Sequence, residues 1–134
     1  MLRNRLKKGF NLLLILISSV ALTILSSCKK EEEFNDDMLP AVKVKLLNGC
    51  GFSGIASDFS EYLSQYNIYV VSLGNSEKPI YDKTIIVIKQ DDEEDLMRLK
   101  RYTGITRAIY ALDPYVEESF QIILGRDYQD YIKN

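Results

Sequence analysis

Leu46-Leu47-Asn48-Gly49-Cys50-Gly51-Phe52-Ser53-Gly54-Ile55-Ala56 reads as the end of a strand, a glycine-rich turn and the start of a helix in direct succession. Upstream of it, Val42, Val44 and Leu46 alternate with Lys43 and Lys45, the period-two pattern of a strand with one covered face. Downstream, Ile55, Phe59, Tyr62, Leu63 and Tyr66 share one helical face, and Asp58, Ser60, Glu61 and Ser64 fall mostly on the other. Between strand and helix, Gly49, Gly51 and Gly54 allow positive φ or a close approach to a neighbour. Ser53 is placed to cap the helix by accepting a bond from one of its free amides. This order of elements predicts an α/β domain.

Working outward, Ile68 to Leu73 is β-branched and aromatic and stops at the turn signal Gly74-Asn75. The strand-helix-strand unit is therefore expected to be parallel, with a right-handed crossover. Ser76 to Lys83, with Pro79, reads as a surface loop, and Thr84 to Ile88 as a strand buried on both faces. Asp91-Asp92-Glu93-Glu94-Asp95 opens a helix that carries Arg98, Lys100 and Arg101 near its end before Gly104. That is the charge order a helix macrodipole favours, whereas a calcium loop spaces its oxygens on alternate residues around a glycine. Leu96, Leu99 and Tyr102 or Thr103 supply the buried stripe of this helix. Arg107 to Leu112 and Phe120 to Leu124 make two further strands, separated by Asp113-Pro114 and a polar connection. The expectation for residues 41–134 is a small two-layer α/β sandwich, a four- or five-stranded mixed sheet with two helices in the order β-α-β-β-α-β-β.

A chain of 134 residues, 46% hydrophobic and 27% charged, suits one modest domain once a targeting segment is set aside. Arg3, Arg5, Lys7 and Lys8 precede the apolar run Phe10 to Leu25, so residues 1–27 read as a signal peptide, or alternatively as an uncleaved anchor. Leu25-Ser26-Ser27-Cys28 resembles the lipobox of bacterial lipoproteins, which implies that Cys28 carries lipid and ties the mature protein to a membrane. The expected location is outside the cytoplasm, anchored at the cell membrane or the outer membrane and facing the periplasm or the surface. Residues 28–40 include the charged stretch Lys29 to Asp37 and read as a solvated linker.

Composition excludes several functions. All 19 acidic residues lie after Ser27 while four of the 17 basic ones precede it, leaving the remainder at −6. Nucleic acid needs a concentrated positive surface and is not an expected partner. Histidine is absent, which removes the usual neutral-pH general base and the commonest metal ligand. Two cysteines, Cys28 and Cys50, are too few for a zinc site, so no metal or cofactor is expected. Gly49, Gly51 and Gly54 do spell a dinucleotide fingerprint, but the second strand ends Leu73-Gly74-Asn75 without the acid that holds a ribose.

Val42 to Ala56, Tyr81-Asp82-Lys83-Thr84 and Leu124-Gly125-Arg126-Asp127-Tyr128 together resemble the LytR C-terminal domain family. In that family the domain is appended to LytR-CpsA-Psr enzymes, which attach glycopolymers to the bacterial cell wall, or stands alone behind an export signal. This chain resembles the stand-alone form, and the resemblance implies no catalytic residues because the enzyme module is missing. Cys50 departs from the family, which more usually has Thr or Ser at that turn position. The implied function is a non-catalytic interaction module accessory to wall or surface glycopolymer assembly. Its implied partner is an envelope protein such as a LytR-CpsA-Psr enzyme, or a cell-wall glycan. The alternatives are a peptidoglycan- or glycan-binding lipoprotein, and an envelope enzyme using Asp127 or Cys50.

Two groups of candidate binding residues follow. Asn48, Gly49, Gly51, Ser53 and Gly54 form a turn whose free amides, at a helix start, suit a phosphate, carboxylate or sugar oxygen. Arg126, Asp127 and Tyr128 offer a guanidinium, a carboxylate and a phenol to a sugar or a peptide stem. The structural alternative is that the glycines only make a tight connection, with Asn48 bonding the turn backbone, and that the terminal residues only pin the C-terminus.

Overall fold

A computed structural model describes residues 38–132. The stretch expected to be a signal peptide, Cys28 and most of the expected linker lie outside the described residues. Strand β1 (Val42–Asn48) leads into helix α1 (Ile55–Leu63) and strand β2 (Ile68–Asn75). Strand β3 (Ile85–Ile88), helix α2 (Glu93–Thr103), β4 (Ala108–Tyr110) and β5 (Phe120–Leu124) follow, and a 3-10 turn, Tyr128–Tyr131, closes the domain. The sheet order is β2-β1-β5-β3-β4. β1 lies between β2 and β5 and is parallel to both, whereas β3 runs antiparallel to β5 and parallel to β4. This is the mixed sheet with two helices, in the element order the sequence predicts.

Register explains the core. Val44, Phe120 and Ile88 form one row across β1, β5 and β3, and Leu46, Ile122 and Ile86 form the next. All six are buried, and α1 (Ile55, Phe59, Tyr62, Leu63) and α2 (Leu96, Leu99) add to the same cluster. Each such side chain contributes about 1.5–3 kcal/mol on leaving water. The alternate residues of β1, Lys43 and Lys45, belong to the opposite face of the sheet, as strand alternation requires.

Several local expectations need correction. β2 does not stop at Leu73: Gly74 and Asn75 pair with Leu47 and Asn48, after a register shift at Val44/Lys45 that leaves Val71 as an extra residue. Pairing with a neighbouring strand here overrides a local turn signal. β4 is shorter than expected, because only Ala108, Ile109 and Tyr110 find partners on β3. Ser53 does not cap α1. The cap position is held by Gly54 at φ +85, with no side-chain bond, and its carbonyl accepts from the amides of Ser57 (2.9 Å) and Asp58 (3.0 Å). Tyr66 lies beyond the end of α1, where its ring stacks on Tyr102 at 4.7 Å.

α2 is built as its charges suggest. Asp92 caps it by accepting from the Asp95 amide at 3.0 Å, and Gly104 ends it at φ +74 with its N–H donating to Lys100. Thr103, rather than Tyr102, is the fully buried member of its last turn, donating to the Leu99 carbonyl at 2.7 Å. Arg98, grouped by the sequence with Lys100 and Arg101 as a basic charge near the helix end, is buried, donating to Asp95 (2.6 Å) and to the Pro40 carbonyl (3.1 Å). It ties the entry of β1 to α2.

Candidate functional site

The glycine turn is held by its own asparagine. Asn48 Oδ1 accepts from the amides of Cys50 (3.2 Å) and Gly51 (3.0 Å), and its Nδ2 donates to the Phe52 carbonyl at 2.6 Å. Gly49 is squeezed between two segments. Its N–H donates to the Leu124 carbonyl and its own carbonyl accepts from Tyr81 N–H, each at 2.9 Å. A methyl on Gly49 would come within 2.6 Å of Ile123 Cγ2 and 2.9 Å of both the Leu124 oxygen and the Tyr81 ring. Gly51 takes φ +82 beneath Pro79. Cys50, placed by the sequence on the turn, is buried in the core cluster at 7% exposure.

Gly51, Ser53 and Gly54 are exposed. Beside them lies a cleft of about 270 Å³, formed where the first turn of α1 (Gly54, Ala56, Ser57) faces the end of β2 (Leu73, Gly74, Asn75), with Asn48 completing the lining. It sits at the carboxyl ends of the parallel strands β1 and β2, the edge at which open α/β sheets usually bind ligands. Leu73, Gly74 and Asn75 belong to this site and were not among the sequence candidates, since Gly74-Asn75 reads locally as a strand terminator.

At the other motif, Gly125 N–H donates to Thr84 Oγ1 (3.0 Å), and the Asp127 carboxylate accepts from the Thr84 amide (2.6 Å) and hydroxyl (2.9 Å). Lys83 and Arg107 each approach the second carboxylate oxygen at 3.6 Å, and the Tyr131 hydroxyl donates to it at 3.4 Å. Burial raises the Asp127 pKa, but the two Thr84 bonds, the Lys83 charge and Tyr131 outweigh it and hold the carboxyl below its ordinary value. Thr84, fully buried at the head of β3, is not among the sequence candidates, and nothing in the stretch Tyr81 to Thr84 marks its bond to Asp127.

Arg126, Asp127 and Tyr128 do not converge on one point. Arg126 pairs with Asp82 at 3.5 Å with both side chains largely exposed, Asp127 serves Thr84, and Tyr128 packs half-buried against the core. What does converge is the backbone of Tyr81. It donates to Gly49 and accepts from the Arg126 amide at 3.1 Å, so one residue joins the glycine turn to the terminal motif. The three segments that carry the resemblance therefore meet in one place.

Residues 41–128 match the family sequence model described as LytR cell envelope-related transcriptional attenuator. The chain belongs to the LytR C-terminal domain family. No curated protein and no solved structure matches it. In this LytR C-terminal domain, the residues quoted for the resemblance join β1, the loop before β3 and the end of β5 through backbone bonds. The family is a cell-envelope-related one, and the domain is an accessory C-terminal module rather than a known catalytic one. Among the described residues, no group of His, Cys, Asp and Glu is placed to hold a metal ion, and no helix is long and apolar enough to cross a membrane.

Proposed function

We propose that the protein is a bacterial envelope lipoprotein, tethered through lipid on Cys28, whose domain is a non-catalytic interaction module serving cell-wall or surface glycopolymer assembly. The observation that carries this reading is the family match over residues 41–128 behind an apolar leader that ends Leu25-Ser26-Ser27-Cys28. More than one acyl chain makes a stable anchor, at about 0.8 kcal/mol per buried methylene. The proposed contact region is the exposed part of the glycine turn, Gly51, Ser53 and Gly54, with the cleft beside it. Asn48 and Gly49 shape that region from beneath. Arg126, exposed at the rim of the terminal motif, is the member of the second group best placed to meet a partner, whereas Asp127 bonds Thr84 and Tyr128 packs on the core.

The proposed partner is an envelope protein of the LytR-CpsA-Psr type. A glycan-binding role for the same cleft is the second reading, supported by its polar lining of Asn48, Ser57 and Asn75. An enzyme working through Cys50 or Asp127 is disfavoured, because the thiol is buried and the carboxylate is committed to Thr84. The family's description speaks of a transcriptional attenuator, but the −6 charge beyond Ser27 supplies no surface for DNA.

Metabolic labelling with a palmitate analogue tests the anchor: label is expected in the wild type and lost in Cys28→Ala. Crosslinking in intact cells followed by purification tests the module. Recovery of an envelope glycopolymer enzyme supports the protein partner, sedimentation with purified wall supports the glycan, and failure of both removes the proposal.

A further inference from the structure

We propose that the outer edge of β2 is a docking strand for an extended, uncharged polypeptide segment of a partner protein. The inference rests on reading the domain as an interaction module and names the chemistry of its partner. β2 ends the sheet, and among the described residues no strand pairs with its outer edge. Its eight residues span about 26 Å at about 3.3 Å each, and a strand paired on one side leaves the other row of N–H and C=O groups unused.

The two edges of this sheet are treated differently. β4 has three residues, with Arg107 before it and Asp113-Pro114 after it, so length, charge and proline all blunt that edge. β2 contains no charged residue and no proline from Ile68 to Asn75, and exposes Tyr69 at 57% and Leu73 at 50%. The extra residue at Val71 is its one irregularity. At its end the strand runs into the cleft, where Leu73, Gly74 and Asn75 face Ala56 and Ser57 of α1. An added strand would take backbone bonds from the edge and place a side chain in the cleft, which divides affinity from selectivity as strand addition generally does.

The occupant is a segment rather than a second copy. A contact between two β2 edges uses the strand alone, whereas the edge of Ile68–Asn75 continues into the cleft lined by Leu73, Gly74 and Asn75. A flexible segment reaches both. The absence of charge along β2 leaves nothing to pair with a charged segment, so an uncharged one fits best.

A displayed library of short linear peptides, panned on the detergent-solubilised full chain, tests this, with the enriched peptides synthesised and hydrogen exchange read by NMR. The expected result is uncharged peptides that slow exchange of the β2 amides not bonded to β1 at least about tenfold while leaving β5 and α2 unchanged. Ser72→Lys and Tyr69→Lys, both at exposed positions, should weaken binding by about tenfold or more without altering Tm. No enrichment, protection confined to residues 48–54, or equal binding by Ser72→Lys overturns the proposal. Protection, in the peptide-free chain, of the β2 amides that do not bond β1 also overturns it: if it grows with protein concentration the occupant is a second copy, and if it does not the occupant is the chain's own N-terminal segment. Should docking fail while Cys28 is labelled and an envelope enzyme is recovered by crosslinking, the broader function stands and only the β2 inference falls.

Discussion

Gly125 meets Lys83 backbone to backbone: a methyl on Gly125 would lie 2.6 Å from Lys83 N and 2.7 Å from its Cα. These atoms cannot rotate away as the end of a side chain could. Gly125→Ala is therefore expected to cost about 1–3 kcal/mol or more, read as a fall in the urea midpoint. Gly54→Ala makes the opposite case, since nothing lies within 4 Å of its added methyl and only φ +85 is strained. It should cost about 1–2 kcal/mol, and less than Gly125→Ala. Equal losses would mean that the contact with Lys83 is not tight in solution.

Asp127 links stability to pH. Its folded pKa is lowered, so the carboxylate stabilises the native state above the ordinary value of about 3.9, and that stabilisation is lost as pH falls through the folded pKa. Asp127→Asn should remove about 1–3 kcal/mol at neutral pH through its bonds to Thr84 and flatten the stability profile on the acid side. Urea titrations of both proteins from neutral pH into the acid range measure it. Parallel profiles would refute the assignment.

The Asn48 amide makes three bonds across the glycine turn. Asn48→Ala should cost about 1–3 kcal/mol, since it strands the part-buried Cys50 amide and removes the bonds to Gly51 and Phe52. Asn48→Asp keeps the acceptor and loses only the bond to Phe52, so it should fall between alanine and wild type in thermal melts.

Cys50 sits at 7% exposure within the core. Its alkylation by iodoacetamide in the native protein should be at least about tenfold slower than in denaturant, because the reagent must wait for local opening. Rapid native labelling would reopen the enzyme reading, which requires an accessible thiolate.

Much of the architecture is legible in the sequence because it is written in short periods. The alternation of Val42, Val44 and Leu46, the α1 stripe through Phe59 and Leu63, and the charge order of α2 each act over a few residues, and all three hold in the structure. Where a local signal competes with a distant partner, the partner prevails. Gly74-Asn75 stays in β2 because Leu47 and Asn48 pair with it, and Arg98 is drawn inside because Asp95 and the Pro40 carbonyl receive it.

The sequence by itself determined the order of strands and helices, the apolar faces and the presence of two glycine-bearing motifs at either end of the domain. Only the tertiary structure decided that Tyr81 joins those motifs, that Thr84 claims the Asp127 carboxylate, and that β2 is left as an open edge. The reason is physical. Periodicity records how a residue faces its immediate neighbours, whereas a hydrogen bond between Thr84 and Asp127 joins residues 43 apart and leaves no local trace in either segment.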